Sequence, residues 1–133
     1  MTKKMVWAID DDDEMRNALK LMLKLLGYDC RDFGDPREFT RALLGGEPPD
    51  LVFLDINMPL VTGVEVLQFI RSRDQWKKIP VLMVSSESEE EWVEQTLRMG
   101  ADSYVFKPVN MDELRMAINT AIQKREAILN DEA

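Results

Sequence analysis

Four short apolar runs in this chain each lead into a residue equipped for polar chemistry. Asp10 and Asp11 follow Met5–Ile9, Asp55 follows Leu51–Leu54, Ser85 follows Val81–Val84 and Lys107 follows Tyr104–Phe106. Three carboxylates held close together repel one another, so they need a shared proton or a hard cation that prefers oxygen ligands. Magnesium is the natural candidate. It keeps several waters, takes one or two protein carboxylates and completes its shell with a phosphate oxygen. Lys107 and the Ser85 hydroxyl suit the other oxygens of such a phosphoryl group. A carboxylate is also a nucleophile able to form an acyl phosphate, and Asp55 occupies the central position. With a cation on one side and an ammonium on the other, in-line phosphoryl transfer asks little else of the protein.

What the chain lacks narrows the chemistry. It has no His, one Cys, and 25 Asp and Glu against 17 Lys and Arg, for a formal net charge of −8. No Ser-His-Asp triad, internal disulfide or zinc site of the usual nitrogen and sulfur kind can be assembled from that set. The acid excess argues against direct nucleic-acid binding, which needs a basic surface. Met5–Ile9 is too short for a signal sequence or a membrane span before the aspartates begin, so no membrane insertion and a cytoplasmic location are expected. At 133 residues and 45% hydrophobic, the chain has the size and content for one core.

The elements that must hold these groups alternate in type. A fifth, weaker apolar run, Tyr28–Phe33, joins the four, and stretches of helical period separate them. Met15, Ala18, Leu19, Met22, Leu25 and Leu26 mark a first helix ending at Gly27. Phe39, Ala42 and Leu43 mark a shorter second, before Gly45-Gly46 and Pro48-Pro49. The third is carried by Val64, Leu67 and Ile70, the fourth by Val93, Thr96 and Leu97, and the fifth by Leu114, Ala117, Ile118, Ala121 and Ile122. Such alternation demands right-handed βαβ units and a parallel sheet covered on both faces. An α/β (βα)5 three-layer sandwich with a five-stranded sheet in the order 2-1-3-4-5 is therefore expected, the polar Tyr28–Phe33 at its edge. Ligands in open α/β sheets bind beyond the carboxyl ends of the strands, where the strand order reverses. All the polar residues above lie at that rim.

At this rim the chain resembles the receiver domain of two-component response regulators, over about residues 5 to 125. The resemblance rests on Ile9-Asp10-Asp11, on Leu54-Asp55-Ile56-Asn57-Met58-Pro59 with Gly63 four residues past the proline, on Val84-Ser85-Ser86, and on Tyr104-Val105-Phe106-Lys107-Pro108. It implies a flavodoxin-like fold, consistent with the strand order above, and a single receiver domain over 1–133 of the chemotaxis-regulator-like type. Residues 124–133 would extend the last helix as a polar tail, with no output domain after it.

The resemblance further implies that Asp55 accepts a phosphoryl group from a phosphohistidine on a sensor histidine kinase or histidine phosphotransfer protein. Asp11, Asp55 and the Asn57 backbone carbonyl would hold Mg2+, with Asp10 helping mostly through a water. Ser85 and Lys107 would bind phosphoryl oxygens, and Tyr104 would follow as a rotameric switch. Asn57 and Glu87 stand where the family tunes phosphoryl lifetime. The α4-β5-α5 face would meet a downstream output protein, or a second copy on phosphorylation, with Trp92 and Met99 contributing to it. The Lys107-Pro108 bond is expected to be cis. Such a domain signals rather than turns over substrate.

Plainer readings compete at single positions. Asp12, Asp13 and Glu14, and the glutamates around residue 90, suit helix N-termini through the macrodipole. The methionines and Trp7 read as core, and Cys30 as a small packing residue rather than a redox group. Two whole-chain alternatives are a haloacid-dehalogenase-like phosphatase with Asp10 as nucleophile, suggested by Asp10-Asp11-Asp12, and a phosphorylation-independent module that keeps only the fold. The first leaves the Asp55-to-Pro59 segment unexplained. The second leaves the complete set of acids, hydroxyl and lysine without a purpose.

Overall fold

A computed structural model describes residues 3–86 and 90–132. Strands β1 (Met5–Ile9), β2 (Asp29–Phe33), β3 (Leu51–Asp55), β4 (Val81–Ser85) and β5 (Ser103–Phe106) alternate with helices α1 (Asp13–Leu25), α2 (Pro36–Gly45), α3 (Gly63–Arg71), α4 (Glu90–Arg98) and α5 (Met111–Glu132). The strands form one sheet in the order β2-β1-β3-β4-β5, every pairing parallel, as expected. The half-exposed β2 lies at an edge, as its alternating polar residues require.

Because side chains alternate across a strand, each central strand feeds two cores. Trp7, Ile9, Val52, Leu54, Val81 and Met83 face α2, α3 and α4, where Phe39, Leu43, Val66, Leu67, Ile70 and Val93 complete the packing. Val6, Ala8, Leu51, Phe53, Leu82 and Val84 face Leu19 and Leu23 of α1 and Leu114, Ala117, Ile118 and Ala121 of α5. Trp7 stacks with Phe33 and Phe39 at centroid distances of 5.4 and 5.8 Å, so it is a core residue. Cys30 is half-buried, and burial, helped by Asp32, pushes its thiol up to about 11, the protonated form suited to packing.

Local chemistry sets the helix starts. Asp12 caps α1 by accepting from the Glu14 and Met15 amides, and Asp35 does the same for Arg37 at α2. Beyond α1, Gly27 takes φ +93, the left-handed turn expected of it.

The structure corrects three details of the helical stripes. Ala18 and Leu25 of α1 face outward, whereas Leu23 is fully buried. Leu25 lies about 200° around the helix from Leu23, so only one of them can face the sheet. In α3 Val66 is buried and Val64 only partly so. Finally, residues 124–132 continue α5 as the expected polar extension, but Arg125 within it is 7% exposed and ion-paired to the buried Asp102.

Candidate functional site

The carboxyl ends of β1 and β3 bring Asp10 and Asp55 side by side. Asp55 is the last residue of β3, and the Ile56 amide continues the ladder to the Val84 carbonyl at 3.0 Å. The chain then turns back closely: the Gly63 amide donates to the Ile56 carbonyl at 2.9 Å, and a Cβ on Gly63 would stand 2.2 Å from the Asp55 carbonyl oxygen. Only glycine admits that approach. Within the same turn Leu60 adopts φ 71, a left-handed conformation costing a leucine about 1–2 kcal/mol.

One oxygen from each of Asp10, Asp11 and Asp55 can be chosen so that all lie within 4.8 Å of one another. Asp10 is 1% exposed and Asp55 3%, while Asp11 faces solvent. Lys107, carried past the end of β5, places Nζ 3.2 Å from Asp10 Oδ2 and 3.5 Å from Asp55 Oδ1. Its own amide donates to the Ser85 carbonyl at 2.7 Å, which ties the lysine to the end of β4. The Lys107-Pro108 bond is cis, as expected. The buried Ser85 hydroxyl donates to the Ser86 carbonyl at 2.9 Å.

The electrostatics are those of an under-neutralised acidic pocket. Burial pushes the Asp55 carboxyl up to about 7, and the neighbouring Asp10 charge adds to this, against the opposing pull of Lys107 and the Asn57 amide. Burial disfavours the Lys107 ammonium, but Asp55 and Asp10 outweigh it and raise its pKa. Asp10 Oδ1 accepts from the Asp12 amide at 2.9 Å, whereas the buried Oδ2 has no aligned hydrogen-bond donor. Two buried carboxylates that share the single ammonium of Lys107 keep a deficit of positive charge, which a further cation would offset. The donor set, all oxygen and net acidic, fits a hard divalent ion such as Mg2+.

The other expected residues lie elsewhere. Asn57 is exposed just beyond Asp55, its amide 3.4 Å from Asp55 Oδ1. Tyr104 is 42% exposed on β5, its ring 5.3 Å from that of Phe106, beside a groove of ≈ 630 Å³ that Leu97, Met116 and Thr120 also line. Trp92 is exposed on α4, and the partly buried Met99 packs against the core. Glu87 lies outside the described residues.

Two arrangements escaped the sequence reading. Arg16 of α1 reaches back to the Asp10 carbonyl, and Asp102 is clasped by Arg71 and Arg125. The second leaves no signal in local spacing, because Asp102 is 31 and 23 residues from its two partners, and the first is a side chain on a backbone carbonyl, which residue type does not announce.

Known proteins share the sequence pattern and the fold. The family model described as the response regulator receiver domain matches residues 6–119. RcaC of Microchaete diplosiphon is 34% identical over 94% of this chain and 19% of its own length. The transcriptional regulatory protein KdpE of Mycobacterium tuberculosis is 32% identical over 92% of this chain and 53% of its own. The chain thus spans about half, or less, of the length of these curated relatives. Among solved structures, the chemotaxis protein CheY4 of Vibrio cholerae superposes with a TM-score of 0.81 at 28% identity, over 90% of this chain and 99% of that one. NtrX of Brucella abortus shares the fold at a TM-score of 0.86 and 24% identity, over 98% of this chain and 29% of its own.

Proposed function

The chain belongs to the family of response regulator receiver domains, and on that premise we propose that it is a phosphorylation-driven signalling switch whose acceptor is Asp55. The observation that carries this reading is the position of the Asp55 carboxylate. It is buried at the end of β3, with Lys107 Nζ 3.5 Å away and the carboxylates of Asp10 and Asp11 beside it. An Asp55 oxygen attacks phosphorus. The new P–O bond forms as the P–N bond to a donor histidine breaks, and the electron pair returns to the imidazole nitrogen.

Asp10, Asp11, Asp55 and the Asn57 carbonyl would hold Mg2+, which when bound neutralises charge on the phosphoryl oxygens. The remaining work falls to the chain itself. Lys107 presents its ammonium to one phosphoryl oxygen, and the Ser85 hydroxyl turns from the Ser86 carbonyl to donate to another. Pulling Ser85 inward biases Tyr104 and the groove beside it between two arrangements, which changes affinity for an output partner at the α4-β5-α5 face. Trp92 supplies exposed apolar area there, and a second copy of the chain is one occupant that face can take. The phosphodonor is a sensor histidine kinase or a histidine phosphotransfer protein. Asn57 and Glu87, beside the acceptor and hydroxyl positions, set how readily water reaches the acyl phosphate. Residues 1–133 read as one receiver domain, with a core over about 5–125. In this reading the chain binds partners, not nucleic acid, and is consumed and restored by its own modification rather than turning over a substrate. Among the described residues, no helix is long and apolar enough to cross a membrane.

Intact-protein mass spectrometry after incubation with MgCl2 and acetyl phosphate tests the assignment. The native chain should gain one phosphoryl group, Asp55→Asn none, and Asp10→Asn less than native. Labelling that persists in Asp55→Asn but vanishes in Asp10→Asn would move the nucleophile to Asp10 and overturn the proposal.

A further inference from the structure

Resting on the reading of Asp10, Asp11 and Asp55 as the cation-holding set, we infer that Arg16 is a positioning residue for that set, braced by Asp32 and accommodated by Gly34. The Arg16 side chain is 15% exposed and spends its planar fork on three acceptors from different elements. Nη1 donates to the Asp10 backbone carbonyl at 2.7 Å, Nε donates to Asp32 Oδ2 at 3.0 Å, and Nη2 pairs with Asp13. Asp32 in turn accepts from Lys20 at 3.1 Å. Asp10 is therefore held on both sides of its Cα: its amide donates to the Phe33 carbonyl at 3.1 Å, and its carbonyl, the start of the peptide to Asp11, accepts from Arg16.

That peptide decides where two of the three carboxylates point. A rotation of the Asp10 carbonyl swings the Asp11 backbone directly, and it shifts the buried Asp10 carboxylate against Asp55 and Lys107. The backbone contact matters more than the charge, because Asp13 and Asp32 already oppose the guanidinium. Gly34 gives independent support. A Cβ there would stand 2.9 Å from Arg16 Nη1 and 3.2 Å from Cζ, so an alanine would require the guanidinium to shift, and Nη1 is the atom that holds the Asp10 carbonyl. Groups that orient metal ligands typically alter metal affinity 10- to 100-fold when removed. Lysine, with a single ammonium on a flexible stem, cannot replace a three-way fork.

The test is titration calorimetry of the full chain with MgCl2, at a temperature well below each variant's melting point in EDTA. Arg16→Gln and Arg16→Lys should both bind about 10-fold more weakly than the native chain. Gly34→Ala, which removes no charge, should weaken binding by at least about threefold, and amide NMR shifts of Asp10 and Asp11 should move in all three. A merely structural arginine would lower the melting temperature and leave the affinity alone. An Arg16→Gln affinity within about twofold of native overturns the inference, as does full recovery in Arg16→Lys, which would reduce the effect to charge. Should Arg16→Gln fail to fold, Gly34→Ala decides by the same margin. A native chain that takes up no Mg2+ overturns the reading of the acidic set itself, and the inference with it.

Discussion

The sheet carries a buried charge cluster at each end, and the two are opposites. At the carboxyl rim, Asp10, Asp11 and Asp55 face the one ammonium of Lys107. At the other end, where β4 and β5 begin, Arg71 and Arg125 face the one carboxylate of Asp102. Both clusters have charge in excess, yet only one is left wanting. Asp102 accepts from both guanidiniums and from the Val81 amide at 2.8 Å. Surplus guanidinium protons go to the backbone carbonyls of Gly100, Trp76 and Lys77. At the rim, by contrast, Asp10 Oδ2 has no aligned donor and the Asp55 carboxyl is held up to about 7. Excess positive charge can be spread over carbonyls that any backbone supplies, whereas excess negative charge needs donors that strand ends already use. The first cluster closes as a clamp, and the second stays open as a site. Burial, and then Arg125, push the Arg71 guanidinium down to about 10, so even the closed cluster carries some strain.

The hardest test of this contrast is removal of the clamp's only carboxylate. Asp102→Asn leaves two guanidiniums facing one another in a buried place, and should cost about 3–5 kcal/mol in urea unfolding. A loss below about 1 kcal/mol would show that the carbonyls alone satisfy the arginines. The same substitution at the rim should have the opposite sign. Without divalent cation at pH 8, Asp55→Asn removes a repelled, desolvated charge and should raise stability by about 1–3 kcal/mol, a gain that shrinks when MgCl2 is added.

pH sharpens the point. The folded-state pKa of Asp55, about 7, lies above its ordinary value of 3.8. Below the ordinary value the group is protonated folded and unfolded, and its contribution is at its most favourable. As pH rises towards 7 the unfolded chain ionises first, so stability is lost until the folded carboxyl also ionises. The difference in stability between native protein and Asp55→Asn in EDTA should therefore widen from pH 4 to about 7 and then level off. A difference that is flat with pH would mean that Asp55 is not held protonated. The smallest effect belongs to the exposed edge of the clamp. Lys77 pairs with Glu132 at 3.1 Å, both about half exposed, and Lys77→Ala should change the melting free energy by less than about 0.5 kcal/mol.

Much of this was legible in advance because it is local. The unbroken apolar runs of β1, β3 and β4, the alternation in β2, the period of 3.6 between the strands, and the left-handed cap at Gly27 are written in neighbouring residues, and they sufficed for strand order and rim. The stripe of α1 was read less well. Leucine at 25 and leucine at 23 are equal as hydrophobes, and only docking on the sheet chose between them. Arg125 reads as one more residue of a polar helix extension, because its buried partner is 23 residues away in sequence.

By itself, then, the order of residues determined which groups reach the carboxyl rim: each follows directly on a strand, and strand direction carries it there. It could not determine which of those groups would be satisfied. Whether a buried carboxylate must share one ammonium with a second carboxylate, as at Asp10, or is wrapped by two arginines, as at Asp102, depends on donors brought in from distant elements. Only packing in three dimensions brings those donors within hydrogen-bond reach, and the free energy of a buried charge turns on that distance.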